Sequence, residues 1–399
     1  VPNNSSFPVY LIAIGAFSLG MASYVTAGLI PMIEASFSVS VAVAGQLVTA
    51  FTLACGLGSP VIVAAMPANG QRIGLLMALA LFVFANIGSA ATGDFTTLMV
   101  WRAVAGIGAG VYLATGISAA TALSRPERRG KVIALIMGGM ASGVVLGVPI
   151  GLLLAERLGW QAALWLVAIL GFVALMGLML KLPRLPAVAA SSMTRRLAVL
   201  ADGYVMAILM VSFLAAVASL GMYTFIASLL THPKYGAVGS VTPYLWVWGL
   251  GGVLGSFLVG PLVDRLNAPA ITLVIMLALS VSLLLLPLAA ATSAWLVMLP
   301  IAVWGAVGWA LQVPQKNELL LARDRQGDGN LAVALNESAL YLGSAIGAAA
   351  GGVLLFLQMP IWTLAGSAGA IAAVGALLQV AILRRSRTLD EPRIPKPIR

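Results

Sequence analysis

Residues 139–151 read GMASGVVLGVPIG, and residues 343–351 read GSAIGAAAG. Gly139, Gly143, Gly147 and Gly151 recur at every fourth position of the first stretch, and Gly343, Gly347 and Gly351 do the same in the second. Gly143, Gly147 and Gly151 are each echoed 200 residues later. Four-residue spacing puts the glycines on one helix face, where missing side chains let a second backbone approach closely. Both stretches lie inside apolar runs. The chain therefore predicts two related halves that pack against each other along glycine-lined helices.

The composition around these stretches says which solvent the helices meet. Of 399 residues, 61% are hydrophobic and 9% charged, with a mean hydropathy of +1.05; soluble domains carry roughly one quarter charged residues. Crossing a bilayer takes ~20 apolar residues. Spans are expected at 9–30, 43–66, 73–91, 96–123, 132–155 and 161–182, and again at 203–228, 241–263, 269–290, 295–320, 330–356 and 361–383. The predicted fold is an all-α membrane protein of twelve transmembrane helices in two pseudo-symmetric six-helix bundles. Residues 1–182 form the first bundle, 183–202 a linker broken by Pro183, Pro186, Ser191 and Ser192, 203–383 the second bundle, and 384–399 a basic tail.

Lys and Arg collect in cytoplasmic loops. With the N-terminus inside, eighteen basic residues, among them Arg72, Arg125, Arg128, Arg129, Arg195, Arg196 and Arg323, fall on the cytoplasmic side, and Arg157 and Lys234 fall outside. Both termini are expected to be cytoplasmic. The formal net charge of +10 then reports topology and contact with anionic lipid headgroups, not nucleic-acid binding. The first span does not read as a cleaved signal, because no basic residue precedes it and eleven similar spans follow. Cys55 is the sole cysteine and His232 the sole histidine, which argues against disulfides, thiolate metal clusters and a histidine relay. Gly130-Lys131-Val132 lacks the glycine spacing and following Ser or Thr of a phosphate-binding loop. No nucleophile or metal motif is present, so no catalytic residue, metal or cofactor is expected, and an enzyme is disfavoured.

Several further motifs resemble those of the major facilitator superfamily, specifically its twelve-span drug/proton antiporter family and the sugar-efflux-like branch. Leu98-x-x-x-Arg102-x-x-x-Gly106 resembles that family's arginine motif, and Gly139 to Gly151 with Pro149 its antiporter motif. Gly28-Leu29-Ile30-Pro31, Gly159-Trp160-Gln161 and Gly260-Pro261-Leu262-Val263-Asp264-Arg265 match as well, the last as an inter-bundle latch. The resemblance covers the whole chain. It implies a monomeric secondary transporter of a bacterial inner membrane, exporting a small drug, sugar or metabolite in exchange for protons by alternating access. Proton-independent facilitation, or transport of anionic or neutral polar solutes, is the alternative. Two positions depart from the pattern: Pro67 stands where a second latch would carry its acid, and Ser23 where related efflux proteins carry a glutamate.

Among candidate site residues, Arg102 needs a cavity or a partner within the bilayer, with Glu34 as one possible partner. Ala105, Ala109 and Tyr112 continue its face. Glu337, with Tyr341 and Ser344, is the best-buried acid by this reading and a candidate proton carrier; the competing reading is an ion pair with Lys316. Trp304, Gly308, Gln312 and Gln315 form one stripe on span 10, and Phe17, Met21 and Tyr24 another on span 1. The resemblance places spans 1, 4, 7 and 10 around the central cavity, so Arg102, Glu337, Tyr24, Tyr112, Trp304, Gln312 and Gln315 are the expected substrate-binding or coupling residues. Gly139, Gly143, Gly147, Pro149, Gly151, Gly343, Gly347, Gly351, Asp264 and Arg265 are the expected conformational set. Trp160, Trp295 and Trp362 read as interfacial anchors.

Overall fold

Eleven helical segments in the computed structural model are long and apolar enough to cross a bilayer, and a twelfth crosses in two pieces. The structure describes residues 7–67, 70–125, 129–183, 185, 198–235, 238–263, 265–323 and 329–390. The helices are α1 Phe7–Phe37, α2 Val41–Leu53 continuing through Ala54–Gly58 to Ser59–Ala65, α3 Gln71–Ala91 and α4 Phe95–Ala122. Next come α5 Arg129–Ser142, Gly143–Gly147 and Val148–Leu158, then α6 Gln161–Lys181 and α7 Gly203–Thr224. The chain ends with α8 Thr242–Val263, α9 Ala268–Thr292, α10 Met298–Ala310 and Gln312–Ala322, α11 Gly329–Phe356 and α12 Trp362–Asp390. Twelve crossings put the start of α1 and the end of α12, called the termini end below, at one end of the molecule. Asp264 and the basic side chains at 128, 184, 195, 196, 325 and 393–399 lie outside the described residues.

The irregular turns have a covalent cause. Pro60 and Pro149 lack the N–H that a continuing α-helix requires, and just ahead of each the helix widens into a π-turn, at Ala54–Gly58 and Gly143–Gly147. In α10, Pro314 removes the bond that would reach Ala310, and the helix divides at Leu311. The expected continuous span 295–320 is therefore two pieces, and it begins at Met298. Helix α7 likewise stops at Thr224; Phe225 leaves helical geometry before a short Ile226–Leu230 turn.

The glycine stripes pack inside each bundle, not between the bundles as the sequence leads one to expect. A Cβ on Gly139 or Gly143 would collide with the α1 carbonyls of Ala13 or Phe17. One on Gly343 or Gly347 would collide with the α7 carbonyls of Phe213 or Val217. In hydrocarbon, where apolar surface gains nothing by leaving lipid, this backbone contact is what van der Waals packing can exploit. The two pairings show where the halves correspond: α7 repeats α1 at 200 residues, and α11 repeats α5 one helical turn later than the glycine echo implies.

Among the described residues, the packing between bundles is concentrated at the centre and at the end far from the start of α1. Phe225 fills the space over Gly45 of α2 and Gly351 of α11, Gln46 lies against Gly352, and Val145 against Gly249. Gly56 meets Tyr341 and Leu342, and the neighbouring Cys55 is 2% exposed. The Glu156 carboxylate accepts hydroxyl hydrogens from Ser240 at 2.7 Å and Thr242 at 3.3 Å. Toward the termini, the first piece of α5 packs on α1 and the last turns of α2 on α4, each within its own bundle. Among the described residues the bundles are thus clasped at the far end and splayed at the end where α1 begins and α12 finishes.

At that end Asp202 caps α7. Its Oδ1 accepts from the Tyr204 and Val205 N–H groups at 2.9 and 3.4 Å, and its Oδ2 from Arg323 at 3.1 Å. Partial burial opposes the charge, but the two amides and the guanidinium outweigh it and hold the carboxyl below its usual range.

Two outcomes follow. Gly143→Leu and Gly347→Leu should each lower the melting temperature of the purified protein in detergent, by an overpacking cost of ~1–3 kcal/mol or more because backbone cannot yield. Gly138→Leu, where a Cβ meets nothing within 4 Å, is the neutral control. A carboxyl whose folded pKa is depressed contributes stability above its unfolded value of ~3.9 and loses it as pH falls through the folded value. Asp202→Ala should therefore cost ~1 kcal/mol at neutral pH, and melting curves should converge with those of the parent protein in acid.

Candidate functional site

Five aromatic rings close the centre. Tyr24 from α1 meets Tyr223 of α7 at 5.3 Å between centroids, Trp248 of α8 at 5.8 Å and Trp309 of α10 at 6.5 Å. Trp248 in turn contacts Tyr223 at 4.5 Å and Trp304 at 6.1 Å. Most of these contacts are edge-on or tilted, the arrangement that ring quadrupoles favour. Tyr24 is the one member from the first bundle, so the rings form a seam between halves. Trp304 donates its Nε1–H to Ser219 at 2.7 Å, whereas the buried Nε1–H of Trp248 has no partner among the described residues. Trp248 and Trp309 are not singled out by the sequence reading. The available signal is that both stand mid-span beside glycines, away from the interfacial level where membrane tryptophans concentrate.

Polar groups lie on the termini side of the rings, mostly on the second piece of α10. Gln315 accepts from Ser212 at 3.0 Å through Oε1, while its Nε2 and the Oε1 of Gln312 are buried without partners among the described residues. Free amide groups beside a helix break are available to a ligand carbonyl or hydroxyl. Lys316 forms an ion pair with Glu337 at 2.8 Å, the alternative weighed from sequence. Glu337 is not the best-buried acid: its side chain is 36% exposed, whereas Glu318 is only 5% exposed. The sequence missed Glu318 because it sits near the end of an apolar run and two residues from Lys316, in a register that only the broken helix reveals.

Arg102 is 1% exposed and lies between α1, α2 and α4. Its Nη2 donates to the Ala22 carbonyl at 2.8 Å, and the guanidinium carbon stands 4.6 Å from the Phe51 ring centroid, a cation–π contact. The Nε–H and Nη1 groups have no partner among the described residues. Glu34 does not pair with it among the described ion pairs. Ser23 donates to Leu19 of its own helix at 2.8 Å. Tyr112 is sealed from any cavity: its hydroxyl donates to the Ile12 carbonyl at 3.0 Å and rests against Gly15, pinning α4 to α1. Trp160 is also buried, 5.6 Å from Phe37, and is a packing residue and not an interfacial anchor; Trp295 and Trp362 are exposed.

The family model described as Major Facilitator Superfamily matches residues 12–320. The inner membrane transport protein YdhP of Escherichia coli (strain K12) is 29% identical over 383 residues, spanning 96% of this chain and 97% of that protein. A chloramphenicol resistance protein of Streptomyces lividans is 29% identical over 262 residues, 65% of this chain and 67% of its own length. In fold, the chain resembles a bacterial homolog of the human lysosomal transporter Spinster in its inward-facing, unoccupied conformation. The TM-score is 0.73 at 16% identity, with 98% of this chain and 99% of that one covered.

Arg102 holds a charge in an apolar wall with two donor groups unused, which costs stability in any fold that does not need it. Arg102→Met should raise the melting temperature in detergent, by the equivalent of ~1–3 kcal/mol. A lower melting temperature would show that the Ala22 and Phe51 contacts outweigh the burial.

Proposed function

Because the chain belongs to the major facilitator superfamily, we propose that this integral membrane transporter exports a small organic molecule in exchange for protons. Its central site is exposed alternately at the two ends. The observation that carries the reading is the central site itself. Side chains of both bundles meet there, the aromatic seam closes its centre, Glu156 clasps the far end, and at the other end it leads to a partly exposed Lys316–Glu337 pair. Both termini are cytoplasmic in this proposal, so the splayed end faces the cytoplasm and receives the cargo. Similarity to an inner membrane transport protein and to a chloramphenicol resistance protein supports a bacterial plasma-membrane location and outward transport.

The residues also favour a class of cargo. Lys316 and Glu337 neutralise each other, Arg102 has no carboxylate partner among the described ion pairs, and unpartnered amide groups of Gln312 and Gln315 lie beside aromatic rings. Such surroundings favour neutral or anionic amphipathic molecules over lipophilic cations. Rings offer the flat apolar part a stacking surface while the amides take up carbonyl or hydroxyl groups. Rocking parts Tyr24 from Tyr223, Trp248 and Trp309, releasing Glu156 from Ser240 and Thr242 as the termini end closes.

A proton-independent facilitator is the second reading. It is favoured by Ser23, which bonds within its own helix where related efflux proteins carry an acid. Proteoliposomes under an imposed pH gradient separate the two when sugars, neutral antibiotics, anions and cationic dyes are added in turn. We expect a neutral or anionic class to dissipate the gradient, and Glu337→Gln, which strands Lys316, to reduce the flux at least tenfold. Radiolabelled solute that equilibrates without proton movement would establish the facilitator. Robust export of a quaternary ammonium dye that survives Arg102→Ala would sink the cargo assignment.

A further inference from the structure

Glu318 is the acid most thoroughly withdrawn from water among the described residues, and what the pocket offers a negative charge is one hydroxyl donor and no described cation. It lies on the second piece of α10, where Val199, Val205, Leu319 and Ala332 form a separate apolar cluster. Its Oε1 accepts the Tyr204 hydroxyl hydrogen at 2.8 Å; Oε2 is buried with no hydrogen-bond partner among the described residues. On α11, which packs against this piece of α10, Asn336 is 1% exposed and its Oδ1 likewise has no donor among the described residues.

The charged groups on the surrounding elements are engaged elsewhere. Lys316 on α10 pairs with Glu337 on α11, and Arg323 pairs with Asp202 at the start of α7. Helix α9 carries no titratable residue, and the one on α8, Tyr244, stands at the far end. An ionised carboxylate can only accept hydrogen bonds, whereas the acid form adds one O–H donor. Protonation therefore removes a buried charge that no described cation balances, and it gives the unpartnered Oε2 a hydrogen to donate.

We propose that Glu318 is a proton-carrying residue of the transport cycle. A proton from water at the termini end adds to Oε2, forming an O–H bond. It travels as the neutral acid while the site is occluded, and it leaves Oε2 to water when the bundles rock. This rests on the antiport reading above and supplies it with the acid that position 23 does not have. The link to cargo runs along α10: Gln315 is one turn before Glu318, so a solute that engages Gln315 acts on the helix segment that holds the proton.

The test uses the full chain reconstituted in lipid, with infrared difference spectra across a pH series and proton flux in parallel vesicles. The expected result is a protonated-carboxyl carbonyl band in the parent protein and in Glu337→Gln that is absent from Glu318→Gln. Substrate-driven proton flux should fall at least tenfold in Glu318→Gln while solute counterflow persists. A band and a proton flux that survive in Glu318→Gln overturn the proposal and leave antiport standing. Parent vesicles without proton flux overturn antiport, and the band then still decides whether Glu318 binds a proton. Should Glu318→Gln fail to fold, Tyr204→Phe decides. Loss of its hydrogen bond should move the midpoint of the band by about one pH unit, the size of a bond to a carboxylate, and an unmoved midpoint counts against Glu318.

Discussion

Four backbone carbonyls, those of Ala13, Phe17, Phe213 and Val217, each stand where a single methyl group on a facing glycine would collide with them. The rest of the architecture depends on that closeness. Lipid offers helices no hydrophobic reward for associating, so contact area and shape must hold each bundle together. Glycine-to-carbonyl packing fastens α5 to α1 and α11 to α7 and makes each six-helix unit stiff. Stiff units confine movement to the seam between them, where aromatic rings, amides and a few hydroxyl-to-carboxylate bonds can separate and re-form without breaking helix.

The two units are repeats in outline and differ where it matters. In the first, α2 and α5 relieve their prolines with π-turns inside the seam. In the second, α11 runs unbroken and the irregularities fall in α7, at Phe225, and in α10, at Leu311. Buried polarity follows the same division. Among the described residues, the first bundle buries one cation, Arg102, answered by a carbonyl and an aromatic face. The second holds Glu318 with its phenol, the unpartnered amides and the Lys316–Glu337 pair. Charge handling is therefore asymmetric across a symmetric scaffold.

The apolar runs made the helices and their pairing into halves legible, because hydrocarbon forces every backbone polar group into a helix and so leaves few alternatives. What the helices pack against was not legible. A glycine stripe states that something comes close, and periodicity is silent about whether that is α1 or the other bundle. Pro314 was visible, yet its consequence, the division of α10 that sets Gln315 and Glu318 in their register, depends on which carbonyl it leaves unbonded. The sequence reading did not single out Glu318; its burial depends on residues far off in sequence, among them Tyr204, which bonds it, and Val199, Val205 and Ala332, which cluster with the adjacent Leu319. Trp160, placed at the start of a span, gave an interfacial signal, and only the packing of Phe37 beside it shows otherwise.

Cys55 is the chain's sole thiol, and it sits in the widened turn of α2, lined by Gly110 of α4 and facing Tyr341 of α11. The 399-residue chain is thereby a single-cysteine reporter. A thiol reagent reaches the sulfur only while α2 and α11 stand apart, so its labelling rate measures how often the seam is open, in the unmutated chain and in its native lipid.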